Sequence, residues 1–246
     1  MKKSTGALPS KIDNRDYNVT KRFFSRFLKP VDWRIFMPCD IKDQNGEGMC
    51  VGYATATVAE TIWNYKYKKS INFSEREIYE KAKEHDEWGG SNYEGTSLRG
   101  AMKALYKIGI CQEKYWKTKP LVNCKPSFTW IKDAGLHRSS HYFNFKGKDG
   151  NIDFSRIYSK LKYQPLVGVF YVPKNFEYLH ETGKISELKE LSLTEDLHAM
   201  SIMGEIHSGE IIIVNSWSDE WGKQGCCYLP KNIFELCLYE CMGFYL

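Results

Sequence analysis

The sequence predicts an α+β fold of two lobes, because helical and strand patterns are segregated along the chain. From Cys50, apolar residues recur at three- and four-residue steps, which is typical of helices, and the first half of the chain is mostly helical. From about residue 140, β-branched and aromatic runs dominate, as in buried strands. The 246 residues, 42% hydrophobic and 26% charged, are enough for a real hydrophobic core and argue against disorder over most of the chain.

Residues 1–30 are expected to form a basic strap on the domain. Residues 1–34 hold nine Lys and Arg and three Asp, so the net charge of this segment exceeds the +5 of the whole chain. The remainder is close to neutral, which argues against a specific nucleic-acid partner. Residues 21–29 alternate cations and aromatics. A membrane-surface or nucleic-acid arm is therefore an alternative, but a strap packed by its Phe side chains is favoured.

Three helices are predicted in the first lobe, over residues 50–65, 74–83 and 97–108. The second begins with Ser74 and has Glu77 three residues later, which is a capping box. The third follows a Gly-rich loop over residues 87–96 and is closed by Gly109.

The second lobe is predicted to be rich in strands, over residues 166–172, 198–206 and 210–215. The last two strands are joined at Ser208-Gly209. The helical lobe is expected over about residues 40–135 and the β-rich lobe over about 136–246. A cleft between two lobes is a usual place for a functional site.

Cys50 is the candidate nucleophile. It lies at the first turn of a predicted helix, where free N–H groups and the helix dipole stabilise a thiolate. A thiolate suits covalent catalysis. Taken alone, a small Cys packed at a helix start is the more frequent situation, and a nucleophile also needs a base.

His198 is the candidate base, since it heads an apolar run in the strand-rich half. Asn215, at the end of the next strand, can orient its imidazole, and Trp217 can shield their contact from water. With a two-residue turn between the strands, the two residues share a face but are about four residues, roughly 13 Å, out of step. A longer loop or a bulge must close that gap.

Four blocks, in order, resemble the papain-like cysteine peptidases. They are residues 31–34 (Val-Asp-Trp-Arg), 44–50, 196–199 and 215–225. The order Cys, His, Asn is that of the family. The resemblance covers residues 31–246 and implies a papain-like two-lobe fold with the active site in the cleft. It also implies a thiol protease that hydrolyses peptide or protein substrates and needs no metal or cofactor.

The resemblance assigns a role to each residue of the set. Cys50 would form an acyl-enzyme thioester, and His198 would form the thiolate–imidazolium pair, protonate the leaving amine and then activate water. Asn215 would orient His198, and Trp217 would cover their contact. Gln44 and the backbone N–H of Cys50 would donate to the oxyanion.

Substrate contacts follow from the same resemblance. A glycine of the Gly-rich loop, Gly90 or Gly95, would bind the substrate backbone, and the position of the third helix favours Gly95. Ala199, next to the histidine, would line the main specificity pocket and leave room for an apolar side chain.

The sequence departs from the family at two positions of the nucleophile loop. Glu47 stands where the family has a disulfide-bonded Cys, and Val51 stands where it has a Trp. A free Cys50 leaves seven cysteines, an odd number, and their spacing gives no zinc pattern. A reducing compartment or a virion is therefore favoured over classical secretion, as is expected without an apolar leader.

The long inhibitory prosegment of secreted relatives is not expected here, and the strap is hypothesised to be a short prosegment before the peptidase domain of residues 31–246. No apolar stretch is long enough to be a transmembrane segment. A monomer is favoured. Two alternatives use the same scaffold: a catalytically silent protein that binds peptides or a partner, and a transpeptidase. The intact set of Cys50, His198, Asn215 and Gln44 argues against a silent protein.

Overall fold

The computed structural model of the chain describes residues 4–10, 13, 17–18, 31–38, 40–86, 93–119, 124–147, 149–174, 176, 183 and 193–246. Two short strands lie in the N-terminal part, β1 (Ala7–Leu8) and β2 (Tyr17–Asn18). Residues 19–30, which include the whole aromatic–basic run of residues 21–29, lie outside the described residues.

Three helices build the first lobe, as predicted, with bounds shifted by no more than two residues. They are α1 (Cys50–Tyr67), α2 (Glu75–Lys83) and α3 (Leu98–Lys107). The first three turns of α1 are buried on all sides, so α1 is a central helix rather than a surface helix with one apolar face. The short strand β3 (Thr96–Ser97) leads into α3, and Ser97 caps that helix by accepting from Gly100 N.

The predicted capping box of α2 is half formed. The Ser74 hydroxyl accepts from Glu77 N at 3.0 Å. The Glu77 carboxylate, however, accepts from the backbone N–H of Cys111 instead of returning to the cap. Glu77 thereby joins α2 to the chain that follows Gly109, whose positive φ of 107° ends α3.

A seven-stranded sheet forms most of the second lobe. Its members are β2, β4 (His141–Asn144), β5 (Leu166–Pro173), β6 (Leu193–Glu205), β7 (Ile211–Val214), β8 (Cys226–Leu229) and β9 (Leu238–Tyr245). The strand order is β2-β4-β9-β5-β6-β7-β8, and only the β2–β4 pair is parallel. The strands predicted over residues 166–172 and 210–215 correspond to β5 and β7. The one predicted to begin at His198 begins five residues earlier.

Three short helices were missed by the sequence reasoning: α4 (Trp130–Ala134), α5 (Phe154–Leu161) and α6 (Lys231–Cys237). Each has at most eight residues, too few for a periodic pattern to stand out. Two of them lie in the strand-rich half, so that half is richer in strand but not free of helix. In α5, Asp153 caps the first turn by accepting from Arg156 N at 3.1 Å.

The two lobes meet where α1 packs on β6, and one hydrophobic cluster continues from the helices into the sheet. The hydroxyl of Ser201, on β6, donates to Ala54 O of α1 at 3.1 Å. Trp33, in the short 3₁₀ turn Trp33–Phe36, donates its indole N–H to Leu161 O at 2.7 Å. Among the described residues, no helix combines the length and apolarity that crossing a membrane requires.

Candidate active site

Cys50 is the first residue of α1, so its position is set by the loop that precedes the helix. Asn45 and Gly46 adopt positive φ angles of 47° and 86° and turn the chain toward the helix start. The side chain is completely buried. Its Sγ accepts from the backbone N–H of Ala199, on β6, at 3.4 Å. The nucleophile candidate therefore lies at the contact between the two lobes.

Burial raises the pKa of the Cys50 thiol to about 11, and the backbone N–H groups of Ala199 and Gly6 oppose that rise. The sequence reasoning expected the helix start to favour a thiolate. In this closed structure, the loss of solvation outweighs the backbone donors, so the sulfur is a neutral thiol near pH 7.

His198 and Asn215 are hydrogen-bonded, with Nε2 of the ring 2.7 Å from Oδ1 of the amide. The same oxygen accepts from the Ser216 N–H at 2.8 Å, which fixes the orientation of the amide. Because that oxygen can only accept, Nε2 carries the proton of the neutral ring and Nδ1 carries the lone pair. Nδ1 is buried without a hydrogen-bond partner. Burial lowers the pKa of His198 to about 4, partly offset by the bond to Asn215.

The gap predicted between His198 and Asn215 is closed in two steps. The loop between β6 and β7 contains three residues rather than two, because Ile206 N donates to Glu210 O at 3.0 Å. A bulge between Ile202 and Gly204 shifts the register by one more residue. Val214, the last residue of β7, pairs with Ser201, and Asn215 follows it. Asn215 is therefore about two residues, or about 7 Å, out of step with His198 along the sheet, and the two side chains span this distance.

Gln44 is fully buried beside the nucleophile loop. Its Oε1 accepts from the Ser216 hydroxyl at 2.6 Å, which aims Nε2 away from Ser216. Nε2 donates to Glu47 O at 2.7 Å and to Ser4 O at 3.0 Å. Sequence reasoning missed Ser216, although it lies between the two quoted residues Asn215 and Trp217.

Trp217 covers the histidine–asparagine pair. Its ring centroid is 4.6 Å from that of His198, with an angle of 32° between the planes. Trp221 packs edge-on against Trp217 and donates its indole N–H to Phe176 O at 3.0 Å. The apolar cover restricts access of water to the bond between His198 and Asn215.

Residues Ser4–Leu8, part of the basic strap, lie across the site. Ser4 O accepts from Nε2 of Gln44 and from the indole N–H of Trp217 at 3.3 Å. Gly6 lies against the sulfur, and its carbonyl accepts from Thr96 N at 3.0 Å. After Gly6, β1 pairs in parallel with β3, so hydrogen bonds hold the strap from Ser4 to Leu8.

Glycines make this close approach possible. A Cβ on Gly6 would lie 2.2 Å from Gly48 O, and a Cβ on Gly95 would lie 2.4 Å from Gly6 O. Gly95 also has a φ of 92° and donates its N–H to the Tyr79 hydroxyl at 3.2 Å. Nothing in the sequence around Gly6 signals this contact, because it joins segments far apart in the chain.

The remaining cleft beside the strap has a volume of about 500 Å³. Its lining comes from the strap, the nucleophile loop, the ends of β5 and β6, and the loops before β3 and after β7: Ser4, Thr5, Gly46, Glu94, Val172, Pro173, Lys174, Thr194, Asp196 and Trp217. Cys50 and His198 are both fully buried, so neither reaches this cleft while the strap is in place.

The structure thus brings together Cys50, His198, Asn215, Gln44, Trp217, Ala199 and Gly95. Gly90 lies outside the described residues. No hydrogen bond joins the sulfur of Cys50 to Nδ1 of His198 in this closed state. The cysteines that the structure describes are all free thiols, and Cys39 is outside that part of the chain.

Comparison with known proteins adds a family to this geometry. The family model described as papain family cysteine protease matches residues 28–245. A peptidase C1-like protein of Acanthamoeba polyphaga mimivirus is 28% identical over 144 residues, which are 55% of this chain and 46% of that protein. A cathepsin L-like proteinase of Fasciola hepatica is 21% identical over 216 residues, 84% of this chain and 61% of that protein.

Among solved structures, xylellain, a cysteine protease from Xylella fastidiosa, superposes with a TM-score of 0.82. The match has 23% sequence identity and covers 98% of this chain and 95% of xylellain. At that identity, the superposition establishes the fold. The chain spans about half to three fifths of the length of the curated relatives it matches.

Proposed function

Because the chain belongs to the papain family of cysteine proteases, we propose that it is a cysteine peptidase held latent by its own N-terminal strap. One observation carries the proposal. The bond between His198 Nε2 and Asn215 leaves the lone pair on Nδ1 without a partner, while the next amide along the chain, Ala199 N–H, binds the sulfur of Cys50. This arrangement supports a base at His198 and a nucleophile at Cys50, on facing lobes.

With the strap displaced, solvation returns to both groups and favours the charged pair. Nδ1 of His198 takes the proton of Cys50, and the thiolate attacks the carbonyl carbon of a peptide substrate. Nε2 of Gln44 and the backbone N–H of Cys50 donate to the resulting oxyanion, each contributing about 3 kcal/mol to lowering the barrier. The imidazolium then protonates the leaving amine, and water, deprotonated by His198, hydrolyses the thioester.

The strap occupies the same donors that a substrate needs. Ser4 O uses Nε2 of Gln44, and Gly6 O uses Thr96 N. The sulfur also accepts from the N–H of Gly6. The strap therefore blocks the site.

A turnover assay on the full-length chain tests the peptidase activity. The full-length chain with Gly6→Val, which cannot seat the strap, is assayed on a panel of fluorogenic dipeptide amides beside the same variant with Cys50→Ala. We expect hydrolysis by the first and none by the second. Hydrolysis retained by the alanine variant would remove Cys50 as the nucleophile. No hydrolysis by either, with rapid alkylation of Cys50, would favour the silent peptide-binding alternative, and products extended by an added amine would identify a transpeptidase.

A further inference from the structure

Glu47 connects the nucleophile loop to a helix that takes no direct part in the site. Both of its carboxylate oxygens contact Nη2 of Arg76, on α2, at 2.7 and 2.9 Å. The side chain of Arg76 is 5% exposed and that of Glu47 17% exposed, so water screens this ion pair only weakly. Glu47 occupies the position at which the sequence resemblance expects half of a disulfide.

Arg76 is a rigid anchor. Its backbone N–H donates to the Thr118 hydroxyl at 3.0 Å, and Nη2 also donates to Lys119 O at 3.3 Å. Helix α2 in turn lies directly against α1, where a Cβ on Gly52 would be 2.6 Å from Glu75 O. The far end of the ion pair is therefore fixed to the helix that begins at the nucleophile.

The backbone of Glu47 organises the oxyanion donor. Its carbonyl accepts from Nε2 of Gln44 at 2.7 Å and from Met49 N at 2.8 Å. Its N–H donates to Gln44 O at 3.1 Å. Three hydrogen bonds of the turn between Gln44 and Cys50 thus pass through this one residue.

From these contacts we propose that Glu47 and Arg76 are positioning residues, an ion-pair tether that holds Nε2 of Gln44 where the oxyanion forms. Neither residue touches the sulfur or the imidazole. Losing the tether should therefore weaken stabilisation of the oxyanion without changing the reactivity of the thiol. The inference rests on the proposed peptidase function, and its test separates the two.

The test uses the full-length chain with Gly6→Val as the parent. Glu47→Gln and Arg76→Met remove the charge pair, and the double variant Glu47→Arg with Arg76→Glu restores it in reverse. Glu80→Gln is the matched control, because Glu80 also contacts Arg76, at 3.4 Å, but through Nη1 rather than the Nη2 that Glu47 contacts. Three quantities are measured: kcat and KM on a dipeptide amide, the rate of alkylation by iodoacetamide, and the affinity for a peptide aldehyde.

The three readouts differ in what they require of the loop. Alkylation needs only the sulfur. The aldehyde needs no turnover, because the sulfur adds to its carbonyl carbon and the thiol proton passes to the oxygen. The hydroxyl of the resulting neutral hemithioacetal accepts from the oxyanion donors. Aldehyde affinity therefore tests the tether even if the parent hydrolyses no peptide, a result that would count against the peptidase function alone.

We expect Glu47→Gln and Arg76→Met to lower kcat about tenfold to a hundredfold, the upper value being the loss of one oxyanion donor. Aldehyde affinity should fall less, by about fivefold, because the hydroxyl of the hemithioacetal is neutral. KM and the alkylation rate should stay within about twofold, the control should match the parent, and the charge swap should recover part of the loss. Unchanged aldehyde affinity in Glu47→Gln, or a fall in alkylation equal to that in affinity, would overturn the tether.

Discussion

The strap fits the site only because position 6 lacks a side chain, and Gly6→Val tests that dependence. A Cβ there would lie 2.2 Å from Gly48 O, whereas carbon needs about 3.5 Å from its neighbours. The backbone has little room to shift, because Gly95 also lies close to Gly6, with 2.4 Å between an added Cβ on Gly95 and Gly6 O. The variant should therefore release the strap rather than deform it.

The free energy that holds the strap on the site follows from the contacts that the variant loses. Ser4 and Gly6 accept three hydrogen bonds, from Gln44, Trp217 and Thr96, each contributing about 1 kcal/mol. Burial of the Ala7 methyl group adds about 0.8 kcal/mol. Loss of these contacts, about 3 to 4 kcal/mol, raises the ratio of open to closed molecules by a few hundred-fold.

The assay compares initial rates of dipeptide amide hydrolysis and of iodoacetamide labelling at Cys50 in the full-length protein. Both rates should rise by about two orders of magnitude in Gly6→Val, toward the limit of a few hundred-fold that the shift in the open population sets. Gly135→Ala is the matched control, because no atom lies within 4 Å of the added Cβ. A Gly6→Val protein that labels Cys50 as slowly as the wild type would refute the reasoning.

Three further outcomes are expected. Asn215→Ala, in the Gly6→Val parent, should lower kcat about tenfold with little change in KM, because one hydrogen bond of about 1.4 kcal/mol no longer orients His198; an unchanged kcat would contradict the orienting role. Gln44→Ala in the same parent should lower kcat about a hundredfold, because one oxyanion donor is lost, and should leave the alkylation rate unchanged; both rates are measured in parallel on the variant and its parent. The free energy of unfolding of the wild-type protein should fall by up to about 3 kcal/mol between pH 7 and pH 4, because the pKa of buried His198 is lowered from 6.5 to about 4 and the unfolded chain binds the proton first; denaturant titrations that show an equal fall in His198→Gln would disprove this assignment.

The parts of the fold that the sequence could predict are those set by local chemistry. The apolar spacing of α1 and the Ser74 cap of α2 are properties of consecutive residues, and both elements form close to their predicted bounds. The site residues were grouped through a resemblance. Their distances were not predictable, because the approach of Asn215 to His198 depends on a three-residue loop and a bulge near Gly204.

Gly204 shows why that bulge is not a local property. Its φ is 132°, and an added Cβ would lie 1.8 Å from Val31 O. Both features depend on a segment that is far away in sequence. The same is true of Gly6, whose partners Gly48 and Gly95 belong to separate loops. In both cases, a glycine is needed because two distant backbones pass within contact distance, and no pattern of neighbouring residues reveals it.

Under the proposed function, latency and catalysis use the same backbone surface. The absence of side chains at Gly48 and Gly95 lets an extended chain lie against the site, whether that chain is the strap or a substrate. Because the strap is covalently attached, its effective concentration is on the order of millimolar, so it excludes peptides present below that level. A substrate therefore gains access when the strap is pulled away by other contacts or is cut, and a cut strap loses the advantage of attachment. Reversible displacement and irreversible cleavage would then differ in whether latency returns once the displacing agent is removed.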